Sequence, residues 1–191
     1  LVIYGEIHRR KASWDFLQEV ARDKRFAINT GVIFMEMASH KQKDIDRFLS
    51  NDTIDKELLL NVFRDYMDVG WNDKGMFDFV ECIWQVNKNL PADKKIKIIA
   101  ADMPRPFSTF QSREDMIKND VKYDRNEFMA STVINYIEST NYKRNALFIV
   151  GTGHVCKTIP SAGSILNKKM QQKVYTIFQH GLRSRERASV Y

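Results

Sequence analysis

Five short runs rich in β-branched and aromatic residues constrain this chain more than any other feature. They are Leu1-Val2-Ile3-Tyr4, Gly31-Val32-Ile33-Phe34-Met35, Lys97-Ile98-Ile99-Ala100-Ala101, Ala146-Leu147-Phe148-Ile149-Val150 and Val174-Tyr175-Thr176-Ile177-Phe178. Most are apolar almost throughout, not alternating, which is the pattern of strands covered on both faces. Between them the apolar residues recur at helical spacing. Ser13 reads as the N-cap of a helix over 14–24, with Trp14, Leu17, Val20 and Ala21 on one face. From Ile45 to about Asn89 the pattern is helical, broken at Gly70-Trp71-Asn72-Asp73, and Pro91 ends it. Residues 104–123 hold two prolines and little periodicity and read as mostly loop; a helix follows over 125–139, then a short helix or loop from Ile159 to Lys169. The order β-α-β-αα-β-α-β-α-β predicts an α/β fold, a layered domain with a central, mostly parallel sheet flanked by helices.

A length of 191 residues fits a single domain over 1–191, since roughly 100–200 residues is the usual domain size. The chain opens inside a strand without Met, so we expect it to be an excerpt at one or both ends, and the compartment cannot be read from it. With 43% hydrophobic residues the bulk of the chain is not disordered, and its apolar runs fall short of the ~20 residues of a membrane-spanning helix. Cys82 and Cys156 make no disulfide framework; one bridge and two free thiols are both open. The formal charge of +6 invites a nucleic-acid interpretation, but the cations are scattered and no binding module accompanies them. The expected partner is a small molecule, with no nucleic acid and no membrane-spanning segment. If Arg9-Arg10-Lys11 lines the mouth of a crevice, it favours an anionic substrate. Oligomeric state is not encoded in any feature we recognise.

The informative polar residues fall at strand ends. Glu6 and His8 follow the first strand, Glu36 ends the second, Asp102 and Arg105 follow the third, and His154 and His180 follow the fourth and fifth. In a parallel sheet these carboxyl ends share one edge, where open α/β proteins place their sites. A buried Glu36 needs a partner, and Arg105 or Arg125 would supply one as an ion pair. The Gly151-Thr152-Gly153-His154 turn lacks the third glycine of a dinucleotide fingerprint, and no serine sits in a nucleophile elbow. Two chemistries remain open: a histidine oriented by a carboxylate as a general base for water, or a divalent metal held by the same histidines and glutamates.

At these residues the chain resembles the erythromycin esterase-like family, within the wider superfamily of Tiki proteases and ChaN-like haem-binding lipoproteins. The matching elements are Gly5-Glu6-Ile7-His8, Glu36 after the second strand, Arg125-Asn126-Glu127-Phe128-Met129-Ala130, and Gly151-Thr152-Gly153-His154. Gly70-Trp71-Asn72, Ala100-Ala101-Asp102 and Gln179-His180-Gly181 are similar to further family elements. The resemblance implies an ester or lactone hydrolase without a cofactor, in which His8 activates water with Glu36 beside it. Glu6, His154 and the cationic Arg125 would complete the catalytic pocket, and Asp102, Arg105 and Trp71 would contact substrate. Its alternatives are a metal-dependent hydrolase with Glu6, His8, Glu36 and His154 as ligands, and a haem- or ligand-binding protein without turnover. For haem, Tyr4 and His8 are the adjacent candidates for an axial ligand. The spacing departs from the esterase pattern: one residue, Ile7, separates Glu6 from His8, where that family typically has two.

Overall fold

The computed structural model describes residues 1–65, 74–141, 144–170 and 173–179. Its five strands, β1 (Val2–Glu6), β2 (Thr30–Ala38), β3 (Lys97–Asp102), β4 (Asn145–Gly151) and β5 (Tyr175–Phe178), form one parallel sheet in the order β3-β2-β4-β1-β5. The α/β class and the parallel sheet expected from the sequence are therefore observed. The central β2 is buried along its whole length, as the apolar run Val32-Ile33-Phe34-Met35 requires.

Side chains alternate across the sheet and divide the core into two layers. On one face Ile33, Met35, Ile98, Leu147 and Ile149 meet α1 (Lys11–Arg22), α3 (Gln42–Ser50), α4 (Lys56–Arg64) and α5 (Lys74–Lys88) through Trp14, Phe48, Leu59 and Phe79. On the other, Ile3, Val32, Phe34, Phe148 and Val150 meet α7 (Arg125–Ser139) and α8 (Ala162–Lys169) through Met129, Val133 and Leu166. Burying each of these large side chains contributes about 1.5–3 kcal/mol.

Several boundaries differ from expectation. The first helix begins at Lys11, so Ser13 is no cap: it is buried and its hydroxyl donates to Gln179 Oε1 at 2.8 Å. The chain then restarts as α2 (Lys24–Asn29), capped by Asp23, whose side chain accepts from Arg25 N. Within 104–123 lies α6 (Arg113–Asp120), fixed by a Ser112–Asp115 capping box. It buries no residue fully, so no apolar periodicity announced it. The second strand runs past Met35 to Ala38, with a register irregularity against β3 between Met35 and Ala38. Glu36 thus sits inside the strand, and Glu6 is likewise the last residue of β1. The two cysteines are free thiols, Cys82 buried and Cys156 half-buried. Trp71 and His180, and the Gly70-Asp73 turn, lie outside the described residues.

Candidate functional site

Three strands carry a carboxylate at or near their carboxyl ends, Glu6 and Asp102 as last residues and Glu36 two residues before the end of β2. Glu6, Glu36 and Asp102 are at most 2% exposed, and each is buried because its strand continues the core up to that residue. A buried carboxylate is tolerable only when donors fill its lone pairs. Arg125, the first residue of α7, supplies most of them: Nε donates to Asp102 Oδ1 at 2.9 Å, and Nη2 reaches Asp102 Oδ2 at 2.6 Å and Glu36 Oε1 at 2.7 Å. The backbone adds two more, Met103 N to Asp102 Oδ1 at 2.9 Å and Gly151 N to Glu36 Oε2 at 2.6 Å.

The two histidines stand around Glu36. After β1 the chain turns tightly, Arg10 N donating to Ile7 O with Arg9 at φ 64°, and His8 is carried back over the strand end. Its Nδ1 hydrogen-bonds Glu6 Oε1. The Glu6 hydrogen bond raises the His8 pKa above its ordinary 6.5, against the effect of partial burial, with the charges of Glu6 and Glu36 adding to the rise. His154 ends a turn of 3-10 helix, Thr152–His154, directly after β4. Its Nε2 lies 3.3 Å from Glu36 Oε1 and its Nδ1 2.7 Å from Asn126 Oδ1. Gly151 makes this crowding feasible: a Cβ there would stand 2.7 Å from His8 Cε1, 2.9 Å from His8 Nε2 and 3.3 Å from Glu36 Oε2. Glu6, His8 and Glu36 each offer a ligand atom within 4.8 Å of the others.

The structure brings Glu6, His8, Glu36, Asp102, Arg125 and His154 together. Asp102 is fully buried and paired with Arg125. Arg105 is drawn off: its guanidinium pairs with Asp120 of α6 at 3.0 Å, while its backbone N donates to His40 Nδ1 at 3.3 Å. Of the two ion pairs considered for Glu36, Arg125 forms the one the structure contains. Asn126 and Gly151 were not singled out as site residues, although both stand in quoted motifs. Their importance lies in contacts across more than 20 residues of chain, which no local pattern reports.

No known family model matches the sequence, and no curated protein matches it. Solved structures do. One, titled as cofacial haem binding to ChaN of Campylobacter jejuni, superposes with a TM-score of 0.60 at 17% identity, over 94% of this chain and 81% of that one. A Bacillus cereus protein gives 0.58 at 12% identity over 93% of this chain and 64% of that one. The type III effector HopBA1 gives 0.53 at 12% over 80% and 66%. What is shared is the fold. Such identities carry no chemistry by themselves. The erythromycin esterase-like family itself is not shown. Among the described residues no helix is long and apolar enough to cross a membrane.

Proposed function

We propose that the protein is a hydrolase of small esters or lactones that activates water at the Glu6–His8 pair, beside Glu36. The observation that carries this is the His8 ring, gripped at Nδ1 by a buried carboxylate while Nε2 lies over Gly151 next to Glu36. An imidazole oriented in this way keeps Nε2 for the proton of an attacking water, and the carboxylate stabilises the imidazolium that forms. The proton moves from water to His8 Nε2 as the water oxygen bonds to the acyl carbon; the same proton then serves the departing alkoxide. Arg125 holds Glu36 and Asp102 in place, and we assign it an organising role together with the electrostatic one.

The donor chemistry of the same cluster favours a second reading, a divalent cation. Imidazole and carboxylate donors suit zinc and its first-row neighbours, and among the described residues three buried carboxylates stand around the one guanidinium of Arg125. Glu6, His8 and Glu36 would hold the ion, with His154 adjacent; its chemistry would be to acidify water and polarise the acyl oxygen. The structural likeness to the Campylobacter protein adds haem as a ligand to test. His8 is then the candidate axial donor, because Tyr4 is 3% exposed and its hydroxyl is bound by Gln179.

A panel of aryl esters and lactones assayed with wild type, His8→Ala and chelator-treated protein tests the proposal. The expected result is hydrolysis that falls at least ~100-fold in His8→Ala, the scale of losing a general base. Activity equal in both proteins refutes the role of His8. Activity abolished by EDTA and restored by a divalent metal replaces the first reading with the second, and a haemin titration that shifts the Soret band only when His8 is present supports ligand binding.

A further inference from the structure

We propose that Asn126 is a positioning residue that fixes the tautomer of His154 and so turns a nitrogen lone pair toward Glu36; this rests on the site assignment above. Asn126 is the second residue of α7, and its Oδ1 accepts from the backbone N of Ala162 at 3.0 Å, 36 residues away. Ala162 is the first residue of α8, and the first N–H groups of a helix have no acceptor within it. A backbone N–H only donates, so the oxygen of the Asn126 amide, and not its NH₂, must face this point. The orientation of the amide follows from the network and needs no further assumption.

The second lone pair of that oxygen faces His154 Nδ1 at 2.7 Å. Both ring nitrogens face an acceptor, but 2.7 Å is too close for two bare lone pairs while 3.3 Å is not, so in the neutral ring Nδ1 is the nitrogen that carries the hydrogen. A neutral imidazole has one N–H, so Nε2 is bare, and Nε2 is the atom 3.3 Å from Glu36 Oε1. Two acceptors at that distance attract only when a cation lies between them, whether a proton or a metal ion. The contact is therefore a preformed place for positive charge, created at Asn126 and delivered through His154. His8 is arranged in the same sense, with Nδ1 on Glu6 and Nε2 over Gly151, which Glu36 Oε2 also faces. Both rings are held at Nδ1 by an oxygen and turn Nε2 inward, the orientation that second-shell oxygens impose on functional histidines.

The test reads the tautomer directly. Long-range ¹H–¹⁵N correlation spectra of the wild-type protein, at a pH where the ring is neutral, are expected to show His154 protonated on Nδ1. A ring protonated on Nε2 overturns the proposal even if the protein is an active hydrolase. The same spectrum stands unchanged if no ester is ever hydrolysed, so the two proposals fail separately. Asn126→Asp keeps an acceptor for both donors and should retain the tautomer; Asn126→Leu should release it to the Nε2–H form and lower hydrolysis about 10–100-fold. An Asn126→Leu protein that keeps the Nδ1–H form refutes the role of Asn126. If that variant does not fold, the wild-type and Asn126→Asp spectra decide.

Discussion

Gly151→Ala is the most discriminating single perturbation of this site. Gly151 has φ −54° and ψ 143°, which alanine adopts as readily as glycine, so backbone strain contributes nothing. The effect is steric. The added methyl would stand 2.7 Å from His8 Cε1 and 2.9 Å from its Nε2, against about 3.5–4.0 Å for ordinary carbon contact. Restoring contact requires roughly 1 Å of movement. Glu36, locked by Arg125, Gly151 N and His154, has no room to supply it. His8 has: its side chain is 43% exposed and swings toward solvent. The fold is therefore expected to survive, with about 1 kcal/mol lost, since overpacking costs ~1–3 kcal/mol when nothing can give. Catalysis should not survive as well, because a ~1 Å misplacement of a reacting group costs on the order of 100-fold. Two measurements check this: kcat/KM on the best ester, and the His8 pKa by NMR, which should fall toward its ordinary value as the Glu6 hydrogen bond lengthens. A Gly151→Ala enzyme with wild-type rate and an unshifted His8 would refute the geometry on which the proposed function rests.

Arg125→Ala leaves Glu36 and Asp102 buried without their cation, and we expect a loss of about 3–5 kcal/mol in urea unfolding; the double variant with Asp102→Asn should recover part of it. The Glu6–His8 pair gives two opposite pH trends. Because the folded pKa of His8 lies above its unfolded 6.5, the stabilisation is fully present below pH 6.5 and is lost as pH rises through the folded value. Hydrolysis needs the unprotonated ring and should rise through that same interval. Glu6→Gln should remove the stability slope and move the rate profile to lower pH, and titrations of melting and of kcat/KM against pH check both.

The layered fold was legible because β2, β4 and β3 each hold an apolar run and α7 carries Met129 and Val133 at helical spacing: burial leaves its record in composition. The edge of the sheet was legible too, since topology alone gathers Glu6, Glu36, Asp102 and His154. What the sequence concealed is which partner each polar group takes. Arg105 and Arg125 were equivalent candidates for Glu36, and the choice is made by α6, whose Asp120 captures Arg105. That helix carries too little apolar periodicity to be foreseen and is set by its capping box instead. Asn126 looked like an ordinary residue of a helical first turn, because its acceptor role depends on Ala162 and His154 arriving from another layer.

The charge of the pocket bears on the substrate, and it sets a second influence beside the Arg9-Arg10-Lys11 triplet. The triplet Arg9-Arg10-Lys11 suggested attraction of an anion. Lys11 bonds Asp15 at 2.7 Å, and Arg10 lines a groove with Tyr4, Ser13 and Phe16. Among the described residues, Glu6, Glu36 and Asp102 are three buried carboxylates around the one guanidinium of Arg125, which pairs with two of them. Distant cations are screened beyond a Debye length of about 8 Å at physiological salt, whereas the carboxylates act at contact distance. A carboxylated ester should therefore be hydrolysed more slowly than its neutral isostere at low salt, and the gap should narrow as salt rises and screens the repulsion. Paired kcat/KM values for the two esters across a salt series measure this. A carboxylated ester that is the faster substrate at low salt, and slows as salt is added, would show that the triplet governs encounter and that the pocket carries more positive charge than its side chains alone supply.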